Sequence, residues 1–189
     1  MVKNLIRKSL LEQGLLLSKN FIQKANIDIH NAPIKHLDIR SSKKILSYFP
    51  YKNEVTLEII SQEFKKYKNN IFMPRIVSAN QLKFNLFKEN ATLEKNKYGI
   101  NEVKNEDYLD SASFDLMFIP FVGVDKGGYR LGYGGGYFDR SLGNISFTEK
   151  KPIIVGLGYD FQILEESFAE SHDLKYDIVI TQTRIHSYS

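Results

Sequence analysis

A chain of 189 residues can bury a substantial core as one domain, and its 42% apolar content fits an ordinary globule. No apolar run approaches the roughly 20 residues that a membrane span requires, and the absence of cysteine excludes disulfides and thiolate metal sites. The net charge of +4 is unevenly divided: residues 1–75 hold 14 Lys and Arg against 6 Asp and Glu, the remainder 12 against 16, so the basic half suits a polyanionic ligand or a nucleic acid.

The opening Met1-Val2-Lys3-Asn4 leads into an amphipathic pattern rather than a signal sequence. Ile6, Leu10, Leu17 and Phe21 recur at helical spacing, which predicts a helix from Val2 to about Ala25. Asn31-Ala32-Pro33 is expected to break the chain, with a weaker helix following to Ser42. Residues 44–50 form an apolar run ending at Pro50 and predict a buried strand; Thr56 is the expected cap of a helix running to about Tyr67. Strands are predicted over 70–77 and 81–87, then a polar, loop-like stretch over 88–111.

Residues 116–124 give the strongest central strand, followed by a short helix near Tyr137 and strands over 152–158 and 177–181. Alternation of this kind implies one α/β domain over residues 1–189, a three-layer sandwich around a mostly parallel sheet. Ligands in such folds gather at the carboxyl ends of the strands.

Between the central strand and the short helix runs Gly127-Gly128-Tyr129-Arg130-Leu131-Gly132-Tyr133-Gly134-Gly135-Gly136-Tyr137-Phe138-Asp139-Arg140, with six of the chain's 12 glycines. Ordering that much glycine is costly unless main-chain N–H groups approach something closely, most often phosphate. Cations for phosphate, a carboxylate for a metal and flat rings for a heterocycle point to a nucleotide-using site. A phosphate-binding P-loop is excluded, because Tyr133 stands where lysine should follow Gly132; the dinucleotide fingerprint fails at Tyr137. A plain glycine-rich turn is the bland alternative.

Residues 125–140 closely resemble the signature of the 5-formyltetrahydrofolate cyclo-ligase family, also called methenyltetrahydrofolate synthetases. The resemblance runs along nearly the whole chain: Lys3-x-x-x-Arg7, Glu54-Val55-Thr56, Phe72-Met73-Pro74-Arg75, Tyr98-Gly99-Ile100 and His172-Asp173-x-x-x-Asp177 fall in the family's order. Val124 stands where a phenylalanine usually precedes the aspartate, and Gln182 where an acid often follows the threonine.

The resemblance implies ATP-dependent closure of 5-formyltetrahydrofolate to 5,10-methenyltetrahydrofolate through a phosphorylated formyl intermediate, with release of ADP and phosphate. It implies catalytic roles for Arg130, Tyr133 and Tyr137, and ATP contacts from Lys3, Arg7, Arg130, Leu131, Gly132, Tyr133, Gly134, Gly135, Gly136, Tyr137 and Phe138. Folate contacts would come from Phe49, Glu54, Tyr98, Tyr133, Gly134, Gly135, Gly136 and Tyr137. Asp139 and Asp173 would hold Mg²⁺.

Bland alternatives stand beside several of these: an exposed helix face for Lys3 and Arg7, a loop acid for Asp173, core packing for Phe49 and Tyr51. The histidines at 30, 36, 172 and 186 lack ligand spacing and are read as non-catalytic. The expected setting is a cytoplasmic monomer acting on folate, polyglutamylated folate included, with no nucleic-acid or membrane partner. An RNA-binding module and a sandwich relative without ATP chemistry are the competing readings.

Overall fold

The computed structural model describes residues 2–79, 81–143, 145, 150–170 and 172–188. Its centre is an eight-stranded sheet in the order β12-β11-β10-β7-β1-β2-β3-β6. The middle strands are β1 (Lys44–Leu46), β2 (Asn70–Ser78), β7 (Leu116–Phe118), β10 (Ile153–Leu157) and β11 (Ile178–Ile180), all paired in parallel. The edges turn antiparallel through β3 (Gln81–Phe87) and β6 (Tyr108–Leu109) on one side and β12 (Ile185–Ser187) on the other.

The central strands read as continuous apolar runs because both faces of the sheet are covered. Ile45, Leu116, Phe118, Val155 and Ile180 enter one core, while Leu46, Met117, Ile154 and Val179 enter the other. Helices α2 (Lys19–His36) and α3 (Glu58–Lys66) cover the first face; α4 (Tyr137–Leu142), with loop residues such as Phe114 and Tyr176, covers the second. The expected three-layer sandwich with a mostly parallel sheet is what the chain forms.

Several boundaries differ from the sequence expectation. The first helix, α1 (Val2–Leu15), is shorter than expected, and Ser18 starts α2 by accepting a hydrogen bond from the Phe21 amide at 3.2 Å. The chain does not break at 31–33: Pro33 lies in the last turn of α2, on the buried stripe with Ala25, Ile29 and His30. Packing of that stripe outweighs the one hydrogen bond a late proline forgoes. No helix continues to Ser42; the chain leaves the helical path at Leu37.

Thr56 does not cap α3 with its side chain. His30 reaches across from α2, its Nε2 on the Thr56 carbonyl at 2.6 Å and its Nδ1 accepting from the Ile60 amide at 3.1 Å. This pairing makes Nε2 the protonated nitrogen, and burial pulls the imidazole below its ordinary pKa.

The run expected as one strand over 116–124 divides at Pro120, which has no N–H to donate. Its second half is β8 (Gly123–Val124), paired with β9 (Arg130–Leu131) in a separate two-stranded ribbon. β1 stops at Leu46, although Ser47 still donates to Phe72. The stretch expected as loop holds β6 and a hairpin of exposed β4 (Leu93–Lys95) and partly buried β5 (Asn101–Val103), too short to show an alternating pattern.

Candidate active site

The β8–β9 ribbon is held by a buried carboxylate. Asp125 Oδ1 accepts from the Gly127 and Tyr129 amides, each at 2.9 Å, and Oδ2 accepts from the Phe168 amide at 3.2 Å and the Ser167 hydroxyl at 3.4 Å. Those bonds compensate a charge with no solvent exposure. Gly128 sits in the left-handed region at φ 85°, and a β-carbon there would come within 2.4 Å of the Tyr188 ring. Arg130 N donates to Leu174 O at 2.9 Å, tying the ribbon to the segment that carries Asp173.

This platform aims Arg130. Its Nε donates to Pro120 O at 2.7 Å, its Nη1 faces Asp139 Oδ2 at 3.2 Å, and its guanidinium lies 5.2 Å from the centre of the Phe138 ring. Asp139 stands in the first turn of α4 and also accepts from Leu174 N at 3.3 Å. A β-carbon at Gly132 would meet Arg130 Nη1 at 2.6 Å, so any larger residue there has to displace the guanidinium.

α1 supplies further cations. Arg7 Nε donates to Gly132 O at 2.7 Å, and Lys3 Nζ binds Asp173 Oδ2 at 2.6 Å and Glu170 at 3.3 Å. Burial alone would lower the Lys3 ammonium, but the bond and charge of Asp173 hold it above its ordinary pKa. Burial and the neighbouring Arg130 lower Arg7, as expected where positive charge is crowded. Lys3, Arg7, Arg130, Asp139, Arg140 and Asp173 surround a cavity of about 220 Å³, with Leu131, Gly132, Gly134, Gly136, Glu170 and His172 completing its wall.

A second cavity of about 220 Å³ adjoins it and is mostly apolar. Phe49, Tyr51, Tyr98, Tyr133, Tyr137 and Phe138 line it, together with Glu54 and Glu102. Burial pushes the Glu54 carboxyl up to about 7, against the opposing pull of the Tyr51 amide, which donates to it at 2.7 Å, and of Arg130. Tyr133 rests edge-on against Tyr51 with ring centres 5.1 Å apart; its phenol is raised by burial and by Glu54. Tyr98 and Tyr137 touch through their hydroxyls at 3.3 Å, and the Tyr98 bond, then Lys97, lowers the Tyr137 phenol.

Arg130, Gly132 and Gly136 line both cavities. Of the residues expected from the sequence, Lys3, Arg7, Leu131, Gly134, Asp139 and Asp173 line the cationic cavity alone. Phe49, Glu54, Tyr98, Tyr133, Gly135, Tyr137 and Phe138 line the apolar one and not the cationic one. Sequence reasoning passed over Asn96, Glu102 and Arg140, and gave no role to His172, which lies at the cationic wall. Arg140 at least stands inside the glycine-rich string; nothing in the polar stretch around Glu102 marks it.

The family model described as the 5-formyltetrahydrofolate cyclo-ligase family matches residues 1–182. The chain belongs to that family. A 5-formyltetrahydrofolate cyclo-ligase of Mycoplasma pneumoniae is 32% identical over 184 residues, which cover 95% of this chain and 98% of the relative. One from Mus musculus is 29% identical over 179 residues, covering 90% and 82%. The NMR structure of the Aquifex aeolicus 5,10-methenyltetrahydrofolate synthetase superposes with a TM-score of 0.84 at 26% identity, covering 99% of this chain and 93% of that one. The Mycoplasma pneumoniae 5,10-methenyltetrahydrofolate synthetase structure gives 0.79 at 26% identity, covering 96% and 99%. Cyclo-ligases are ATP-dependent and form 5,10-methenyltetrahydrofolate. Among the described residues no helix is long and apolar enough to cross a membrane.

Proposed function

We propose that this chain closes 5-formyltetrahydrofolate to 5,10-methenyltetrahydrofolate with ATP, through a phosphorylated formyl intermediate. The observation that carries the reading is the shared wall: Arg130, Gly132 and Gly136 belong to both the cationic and the apolar cavity. A triphosphate in the first and a folate in the second would meet at the Arg130 guanidinium.

In this reading the formyl oxygen attacks the γ-phosphorus, and the bond to the bridging oxygen breaks to release ADP. Arg130 and the main chain of Gly132 to Gly136 carry the charge that develops on the transferring group; Lys3 and Arg7 hold the other phosphates. The resulting imidate phosphate has an electrophilic carbon, and N10 attacks it. Phosphate departs with the former formyl oxygen, and N10 loses its proton. Glu54 orients N10 and, from its carboxylate form, accepts that proton; a pKa of about 7 suits the exchange near neutral pH. Tyr133 and Tyr137 flank the folate and the transferring phosphoryl group, and Phe49 and Tyr98 wall the heterocycle.

Asp139 and Asp173 line one cavity with the phosphate-binding cations, a donor set that fits Mg²⁺, which takes one or two carboxylates plus substrate phosphates. Among the described residues no cluster of three or more His, Cys, Asp or Glu forms a cage, consistent with an ion arriving with the nucleotide. When bound, Mg²⁺ neutralises phosphate charge. The same reading extends to polyglutamylated folates and to a one-domain monomer working in the cytoplasm. Mixing the protein with MgATP and 5-formyltetrahydrofolate tests it: the methenyl-folate absorption band grows, and a flat trace overturns the proposal.

A further inference from the structure

The β4–β5 hairpin brings a carboxylate to the apolar cavity that the phosphate chemistry does not use. Glu102 lies half-buried on β5 and lines that cavity. Its Oε1 accepts from the Ile76 amide of β2 at 2.9 Å and from Asn96 Nδ2 at 2.8 Å, which occupies both lone pairs of that oxygen. Asn96 is fixed in turn, because its Oδ1 accepts from the Tyr98 and Ile100 amides at 2.9 and 3.1 Å. Among the described residues Oε2 accepts no hydrogen bond. The carboxylate is thus anchored through Oε1 in the wall of a cavity that Ile76, Leu82 and Tyr98 also line.

A fixed acceptor set in an apolar wall selects a flat ligand with N–H donors on one edge. The pteridine of a reduced folate has such an edge at its 2-amino group and N3–H, while the formyl group sits on the opposite ring. We propose that Glu102 reads this edge through Oε2, with Asn96 as a positioning residue, so that the formyl-bearing ring is left to Arg130 and the glycine loop. This assignment rests on the folate reading of the apolar cavity. The competing role for Glu102 is mechanical, a tie between the hairpin and β2.

The two roles separate with 5-formyltetrahydrofolate and its 2-desamino-2-methyl analogue, titrated calorimetrically without ATP into the wild-type protein, E102A and E102Q, alongside melting curves. The wild type is expected to prefer the parent by about tenfold or more, as for a hydrogen bond to a charged group. In E102A that preference falls to near one, while affinity for a non-hydrolysable ATP analogue is unchanged. E102Q must keep its oxygen on Ile76 and Asn96, so its NH₂ replaces Oε2 and meets the ligand donor to donor. It therefore melts like the wild type and loses the preference. A preference retained in either variant overturns the assignment and leaves Glu102 as a tie. Wild-type binding of both compounds with equal affinity overturns it too, without touching the folate reading. Failure of the wild type to bind 5-formyltetrahydrofolate overturns both.

Discussion

Arg130 and Asp139 face each other at 3.2 Å, both largely out of solvent, with side-chain exposures of 7% and 13%. The cation proposed to meet the transferring phosphoryl group and the carboxylate proposed to hold its metal neutralise one another within the protein itself. Removing either leaves the other charge buried and uncompensated, at a cost of ~3–5 kcal/mol.

We therefore expect R130A and D139N each to lower turnover a hundredfold or more and also to melt measurably earlier, Arg130 losing a transition-state contact worth about 3 kcal/mol. Steady-state kinetics beside calorimetric melting checks this. Near-normal turnover in both variants would remove them from the site.

Lys3 and Arg7 reach the cationic cavity from the same face of α1, one through Asp173 and the other through Gly132 O. The double variant K3A/R7A should raise the Michaelis constant for ATP about tenfold or more and leave folate affinity nearly intact. An unchanged ATP constant would return both residues to the helix surface.

Glu54 makes the stability of the protein depend on pH in a definite direction. Its folded carboxyl holds a proton up to about 7, whereas the unfolded chain releases it near the ordinary 4.5. Between those values the native state binds more protons, so stability falls as pH rises through the window and levels off above about 7. E54Q should remove that part of the slope in urea titrations at pH 5 and pH 7.5, and the same substitution should slow cyclisation. A wild-type slope that E54Q leaves unaltered would contradict the burial argument.

Gly135 does not occupy the left-handed region, unlike Gly134 at φ 100° and Gly136 at φ 61°. A β-carbon there strains no backbone but lands 2.8 Å from the Tyr137 ring, which must move. G135A should accordingly cost turnover about a hundredfold, since a displacement near 1 Å suffices, while the melting temperature changes little. Equal turnover in G135A and the wild type would show that the Tyr137 ring is free to shift without consequence.

The layers of the fold were legible because buried parallel strands announce themselves as apolar runs, and the glycine string was legible because its residue types are chemically specific. What escaped were features fixed by partners distant in sequence. Thr56 reads as a cap, but the Ile60 amide is taken by His30, 30 residues away. Pro33 reads as a break, yet it packs on the stripe begun by Ala25. In the site, Glu102 gains meaning only through the Ile76 amide on another strand.

The β8–β9 ribbon that carries Arg130 shares no ladder with the eight-stranded sheet. Helices α2 and α3 lie on the other side of that division: none of their residues lines either cavity. Repacking the α2–α3 face, at Ile29, Ile60 or Phe64, would adjust how much heat the protein withstands, with the residues around the two cavities left in place. On that face, unlike at Arg130 and Asp139 where the two are coupled, an engineer could raise durability without retuning turnover.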